Sequence, residues 1–254
     1  MMQLRASELS SRHRLKRTEI SVDGGALVHI LGENGAGKST LLLLLAGVLP
    51  ADTGEIWINQ RTPDDYGLSG LAAVRSVMAQ QNADTFAVPV QQYLCFYCPA
   101  DTVMPDSVAA CLDIADLMQR PLTHLSGGER QRVEIARTLL QIWPALEQGQ
   151  GLVCLDEPFS SLDIRHRYAL VVLLKQLAAT GNLVLLTSHD VTLSANYSDS
   201  VWLMKGGEVR FSGCPDEVLT SENLSLIYGC DMRVSHHQNL REIHVVEPVG
   251  KGNM

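Results

Sequence analysis

The sequence predicts an α/β fold, a parallel sheet with helices on both faces, and three observations carry that prediction. The runs "ALVHILG" (26–32), "GLVCLDEP" (151–158) and "NLVLLTSHD" (182–190) are continuously apolar and end in polar residues. Strands buried on both faces read this way. The first run passes into "GENGAGKST" (32–40) and then into leucines, a strand–glycine loop–helix order. Between the strands lie two stretches of helical period, "DSVAACLDIADLMQR" (106–120) and "ERQRVEIARTLL" (129–140).

Taken in order, the N-terminal "MMQLRASELSSRHRLKR" has no apolar core of the signal-peptide type. Its basic cluster "RHRLKR" (12–17) is expected to be a solvated loop. "TGEIWINQR" (53–61) alternates apolar and polar residues and is expected to be a strand near the front of the chain. Residues 82–124 are poor in strand signals and read as an inserted helical subdomain. "VWLMKGGEVRFSG" (201–213) reads as a hairpin turning at Gly206-Gly207. The tail "DMRVSHHQNLREIHVVEP" (231–248) is expected to form a small terminal hairpin, with His236-His237 in a polar turn rather than a metal site.

Composition narrows the function classes. The chain is 46% hydrophobic and 19% charged, with a net charge of −8. That balance disfavours nucleic acid and anionic lipid as partners unless positive charge is gathered locally. No run reaches the roughly 18 apolar residues of a membrane span. The longest, Leu41–Leu49, is stopped by Pro50. A cytosolic chain is expected, so that any membrane span belongs to another subunit. Of the six cysteines, Cys95 and Cys98 have CxxC spacing. No second pair or neighbouring histidine completes a metal site there, and reduced thiols are expected.

Gly32, Gly37, Lys38 and Ser39 fit G-x-x-x-x-G-K-[ST], between a strand and a helix as the motif requires. Glycines let backbone N–H groups turn around phosphate oxygens, and the helix N-terminus adds attraction for the anion. The loop Gly32, Glu33, Asn34, Gly35, Ala36, Gly37, Lys38, Ser39 and Thr40 is therefore the expected nucleotide phosphate site. Lys38 is expected on the β- and γ-phosphates and the Ser39 hydroxyl on Mg²⁺. The leucines that follow become the buried helix carrying the loop, apolar all round.

"LVCLDEP" puts Asp156 and Glu157 at the end of a buried strand, where ligands of open α/β sheets bind. A carboxylate there is costly unless it meets a cation. Asp156 is the expected Mg²⁺ residue and Glu157 the expected general base for an attacking water. The alternative reading of the pair is that it only caps a helix through "SSLD" (160–163). His189, ending the next strand in "SHD", is expected beside Glu157 at the same sheet edge.

"LSGGERQRVEIARTLL" (125–140) reads physically as a second anion site: Ser126, Gly127 and Gly128 before an amphipathic helix, with Val133, Ala136 and Leu140 on one stripe. The string closely resembles the signature motif of ATP-binding cassette (ABC) proteins, and the other motifs fit that family in order. They are the phosphate loop, Gln80 after an apolar stretch, the signature, the acidic strand end, "SSLD" as D-loop, and His189 as switch histidine. The resemblance implies one ABC ATPase domain over 1–254, a P-loop fold with an antiparallel β subdomain. Its RecA-like core covers about 1–81 and 125–230, the helical subdomain about 82–124, and the tail hairpin about 231–254.

The resemblance also implies a head-to-tail homodimer, each ATP lying between one chain's Lys38 loop and Ser126, Gly127 and Gly128 of the other. Glu157 and His189 would drive hydrolysis, Gln80 would contact Mg²⁺ or water, and Asp163 would link the two sites. Family members usually place an aromatic ring against adenine upstream of the phosphate loop. Here "SRHRLK" (11–16) has none, leaving His13 or an arginine for that contact.

Three readings follow: an importer ATPase, a soluble cassette protein working on DNA or ribosomes, and a scaffold without turnover. The single motif set, the short separation of Lys38 from Ser126 and the intact acidic site favour the importer. "QQNADTFAVPVQQYL" (80–94), "LLQIWPALEQGQGLVCLDEP" (139–158) and "SENLSLIYGCDMRV" (221–234) resemble ATPases of vitamin B12 (cobalamin) import. Iron–siderophore or haem import is the alternative. Implied partners are two permease copies and, through them, a periplasmic substrate-binding protein, with the chain on the cytoplasmic face of the inner membrane.

Overall fold

The computed structural model describes residues 2–12, 14–79, 87–99, 102–238 and 240–247. His13 and Gln80 lie outside them. The strands are β1 (Gln3–Ser11), β2 (Leu15–Asp23), β3 (Ala26–Gly32), β4 (Thr53–Ile58), β5 (Arg75–Met78), β6 (Leu152–Leu155), β7 (Leu183–Thr187), β8 (Ser200–Lys205), β9 (Glu208–Gly213), β10 (Asp231–His237) and β11 (Leu240–Glu247). The helices are α1 (Lys38–Leu45), α2 (Pro63–Val74), α3 (Val90–Cys95), α4 (Asp106–Leu112), α5 (Gly127–Gln141), α6 (Trp143–Glu147), α7 (Ile164–Ala179), α8 (Val191–Tyr197), α9 (Pro215–Val218) and α10 (Ser221–Tyr228).

The central sheet has the order β5-β6-β7-β3-β8-β9, parallel through β8 and closed by the antiparallel β9 edge. Its middle strands are apolar at nearly every position, His29 of β3 and Thr187 of β7 being buried exceptions, because each strand feeds two cores. Val153 and Leu155 of β6, with Val184 and Leu186 of β7, pack with α5 and α7. Leu152, Cys154, Leu183 and Leu185 face the other way, with α1 and the front strands. The strict alternation is the two-residue period of a strand.

The front strands form a second, antiparallel sheet, β2-β1-β4. Here the expected solvated loop at 12–17 is only half right. The chain turns after Ser11 and re-enters a strand at Leu15, which is buried, while Arg12, Lys16 and Arg17 pair with Asp52, Glu208 and Glu8. A basic strand passes for a loop because every charge on it faces water.

The leucine helix is also shorter than its apolar run. Leu41, Leu42, Leu44 and Leu45 are fully or almost fully buried, each stabilising the core by about 1.5–3 kcal/mol. Gly47, at φ 64°, ends the helix before Pro50, and Val48 and Leu49 are exposed. The left-handed turn that a glycine adopts freely outweighs the apolar pattern.

Between β5 and α5 lie α3 and α4, and 3₁₀ turns at Ala115–Leu117 and Leu122–His124 lead from α4 towards α5. Val90, Leu94, Val108, Leu112, Ile114 and Leu117 pack them into the core of α5 and α7. α4 stops at Asp113, at φ 48°, short of the helix-compatible stretch. At the other end β10 and β11 pair, with His236 and His237 inside the strand opposite Arg241 and Leu240. They are not the turn: the long run of alternation from Met232 extends the ladder to them. Among the described residues no helix is long and apolar enough to cross a membrane.

Candidate functional site: a phosphate loop beside an acidic strand end

β3 delivers Gly32 to the top of the sheet, and the loop to Gly37 opens α1. Gly37 caps that helix at φ 98°, and a Cβ there would stand 2.6 Å from the Arg14 carbonyl. The glycine is thus required both by its backbone angle and by the turn between β1 and β2 lying against it. α1 carries no acidic residue in its first turn, so the positive end of its dipole is left for an outside anion. Lys38, almost fully buried, donates from Nζ to the carbonyls of Gly32 at 2.8 Å and Glu33 at 3.0 Å. Burial pushes its ammonium below the ordinary lysine range, and Glu157 and Asp156 work against that shift.

The acidic end of β6 meets this loop. Ser39 Oγ donates to Asp156 Oδ1 at 3.0 Å, and the Thr187 hydroxyl donates to the same oxygen at 2.5 Å. Thr187 Oγ1 in turn accepts the backbone N–H of Glu157 at 2.9 Å. Glu157 sits at φ 51°, a turn that lifts its side chain off the strand axis. His189 Nε2 lies 2.6 Å from Glu157 Oε1, so the ring proton on that side belongs to Nε2. An open cavity of about 800 Å³ is lined by Asn34 through Thr40, Glu157, His189 and Arg14. One wall is therefore rich in N–H donors and the opposite one carries carboxylate and imidazole. Such a site can hold a polyphosphate and present a base to a water beside it.

The signature residues stand elsewhere. Ser126 caps α5: its Oγ accepts the Glu129 N–H, and Glu129 returns the bond to the Ser126 N–H at 2.8 Å. That bond, with Arg120, holds the Glu129 carboxyl down to about 2. A Cβ on Gly128 would lie 2.9 Å from the Ser161 carbonyl, whereas one on Gly127 would meet open space. Ser126, Gly127 and Gly128 are not among the described residues lining the phosphate cavity. Asp163 caps α7, accepting the His166 N–H at 2.9 Å. The cap within "SSLD" is thus Asp163, whereas Asp156 and Glu157 bond to Ser39, Thr187 and His189, and Val133, Ala136 and Leu140 are buried on one stripe of α5.

Two contributors escaped sequence reasoning. Thr187 joins Asp156 to the Glu157 backbone, and its only signal was its place at the end of an apolar strand. Gln131, on α5, donates to the Pro158 carbonyl at 3.1 Å and ties the signature helix to the acidic strand end. Nothing in its spacing marks it.

Known proteins agree with this geometry. The ABC transporter family model matches residues 15–160. The chain is 36% identical to a vitamin B12 import ATP-binding protein of Yersinia enterocolitica, over 92% of this chain and 94% of that protein. It is 39% identical to one of Pectobacterium atrosepticum, over 90% and 92%. A hemin import ATP-binding protein of a Ruegeria species is 37% identical, over 92% and 93%. Among solved structures, an ATP binding subunit of an ABC transporter superposes with a TM-score of 0.75 at 22% identity, covering 89% of this chain and 94% of that one. The cbiO1 protein of Clostridium perfringens, part of the transporter complex cbiONQ, superposes with a TM-score of 0.69 at 27% identity, over 87% and 92%. The family match runs through the loop, the acidic strand end and the signature helix between them, and the chain belongs to the ABC transporter family.

Proposed function

We propose that this chain is the ATP-hydrolysing subunit of an importer that takes up vitamin B12 through a separate transmembrane permease. The observation that carries the reading is its likeness, at 36–39% identity over most of both chains, to vitamin B12 import ATP-binding proteins. The 37% identity to a hemin import protein supports haem as the second cargo. Cargo choice would rest on the permease that the ATPase docks on.

In this reading the backbone N–H groups of Glu33 through Thr40 hold the triphosphate, and Lys38 leaves its loop carbonyls for the terminal phosphates. Mg²⁺ suits the site because two hard oxygen donors, Ser39 Oγ and Asp156 Oδ1, converge to 3.0 Å beside the loop. Ser39, Asp156 and Gln80 would hold it, and it would neutralise charge on the phosphates. Glu157 takes the proton of the attacking water, and His189 orients that carboxylate through its Nε2–H. Two copies pair head to tail, Ser126, Gly127 and Gly128 of one closing over the phosphate loop of the other, with Asp163 between the sites. The helical subdomain, to which α3 and α4 belong, faces the permease, of which two copies complete the transporter on the cytoplasmic face of the inner membrane. A periplasmic binding protein delivers the cargo.

The test is ATP-driven uptake of labelled cobalamin by liposomes holding this chain and its neighbouring permease. Uptake that disappears with Glu157→Gln, while that variant accumulates as an ATP-bound dimer on gel filtration, is the expected result. Hydrolysis without cobalamin movement would refute the cargo, and rapid hydrolysis by Glu157→Gln would remove Glu157 from the role of base.

A further inference from the structure

Asp163 does more than cap α7, because the residue it caps is itself held from behind. His166 is buried, its Nδ1 2.9 Å from both oxygens of Asp163. Its backbone N–H reaches Asp163 Oδ1 at the same distance. On the far edge of the ring, Nε2 lies 3.0 Å from Nη1 of Arg132, in α5. A guanidinium only donates, so Nε2 accepts. The ring proton therefore sits on Nδ1 and is given to Asp163. The neighbours choose the tautomer, and both ring nitrogens are used.

Arg132 Nη1 donates further, to the Leu112 carbonyl at 2.9 Å and the Asp113 carbonyl at 3.0 Å. These are the last carbonyls of α4, where a cation is favoured. Two hydrogens on one nitrogen face three acceptors, so the bonds are shared and a shift at any one disturbs the others. The Arg132 and His166 side chains are only 13% and 11% exposed, whereas Asp163 is 66% exposed. A buried pair thus aims a carboxylate that projects into solvent.

We propose that His166 and Arg132 are positioning residues that tie the Asp163 carboxylate to the helix behind Ser126, Gly127 and Gly128, so that both segments and the end of α4 move as one body. The inference rests on the ATPase reading, in which Asp163 and the signature serve the site of a second copy. Holding both presented groups on one rigid relay makes them arrive together. Without it, the Asp163 carboxylate loses its side-chain tie to α5, and the two segments stay linked through Gln131 at the Pro158 carbonyl and Gly128 against Ser161.

A double-mutant cycle on ATP hydrolysis by the full chain, reconstituted with its permease, tests this. His166→Asn keeps a donor near the position of Nδ1 and the capped backbone N–H, but does not reach Arg132. Arg132→Met removes the other half of the link. Each single variant is expected to lower kcat about 10-fold or more, with KM for ATP within about 2-fold of wild type. The double variant should be within about 2-fold of the slower single, since a severed link cannot be severed twice. Should Arg132→Met not fold, Arg132→Lys, which keeps the charge but loses the fork, takes its place in the cycle. Wild-type kcat in His166→Asn would overturn the proposal by reducing His166 to a helix cap. Losses that multiply in the double variant, or that appear in KM, would overturn it as well. Absence of hydrolysis by the wild type would instead overturn the ATPase reading, and is separately visible.

Discussion

Replacing Thr187 by valine should disable the site while leaving its outline unchanged. The threonine is fully buried at the end of β7, and its one hydroxyl makes two bonds: donation to Asp156 Oδ1 at 2.5 Å and acceptance from the Glu157 N–H at 2.9 Å. The bond to the carboxylate is worth about 1.5–3 kcal/mol, and removing the hydroxyl acceptor of the part-buried Glu157 N–H costs about 1–3 kcal/mol. Relaxation recovers part of that, so a net loss of roughly 3 kcal/mol is expected. For a chain of this size that lowers the melting temperature by about 6–12 °C. Asp156 and Glu157 lose their common anchor, and a displacement of about 1 Å at Glu157, the proposed base, is sufficient to reduce kcat by roughly 100-fold. Calorimetry and a phosphate-release assay measure the two effects. Thr187→Ser, which keeps the hydroxyl, should recover most of both. A Thr187→Val protein melting within about 2 °C of wild type, with unchanged kcat, would refute the anchoring role.

The two signature glycines should behave differently. Gly128→Ala drives a Cβ to 2.9 Å from the Ser161 carbonyl and should lower the melting temperature, whereas Gly127→Ala enters open space. Hydrolysis lost in Gly127→Ala without loss of stability would mark contact with a ligand or second copy, and full activity would argue against one. His29 supplies a pH dependence. Burial, helped by Lys175, drives its imidazole down to about 3 from an ordinary 6.5. The unfolded chain therefore binds the extra proton between those values, and stability falls as pH drops through that window by about 1.4 kcal/mol per unit. Urea titrations at pH 7, 6 and 5 should show a shallower slope for His29→Asn, which does not titrate; an identical slope would refute the assignment.

What the sequence determined by itself is whatever depends on near neighbours in the chain. Continuous apolar runs marked β3, β6 and β7, because a strand fed by two cores has no alternation of polar positions to reveal its period. The order strand, glycines, lysine, helix marked the loop proposed to hold phosphate, since each residue type answers a local demand of backbone angle or anion contact. Even the meeting of Glu157 with His189 was legible: both follow the ends of apolar strands, and strands placed side by side in parallel bring their ends together. The basic front strands were not legible, because solvent-facing charge hides a period that only pairing with β1 and β4 makes useful. Gly47 also overruled a longer apolar pattern by its left-handed turn. The tertiary structure alone decided the cross-links: Thr187 to Asp156, Gln131 to Pro158, and Asp163 through His166 to Arg132. Such contacts depend on strand register and helix packing to within a fraction of an ångström, a precision to which hydrogen bonds are sensitive and residue spacing is not.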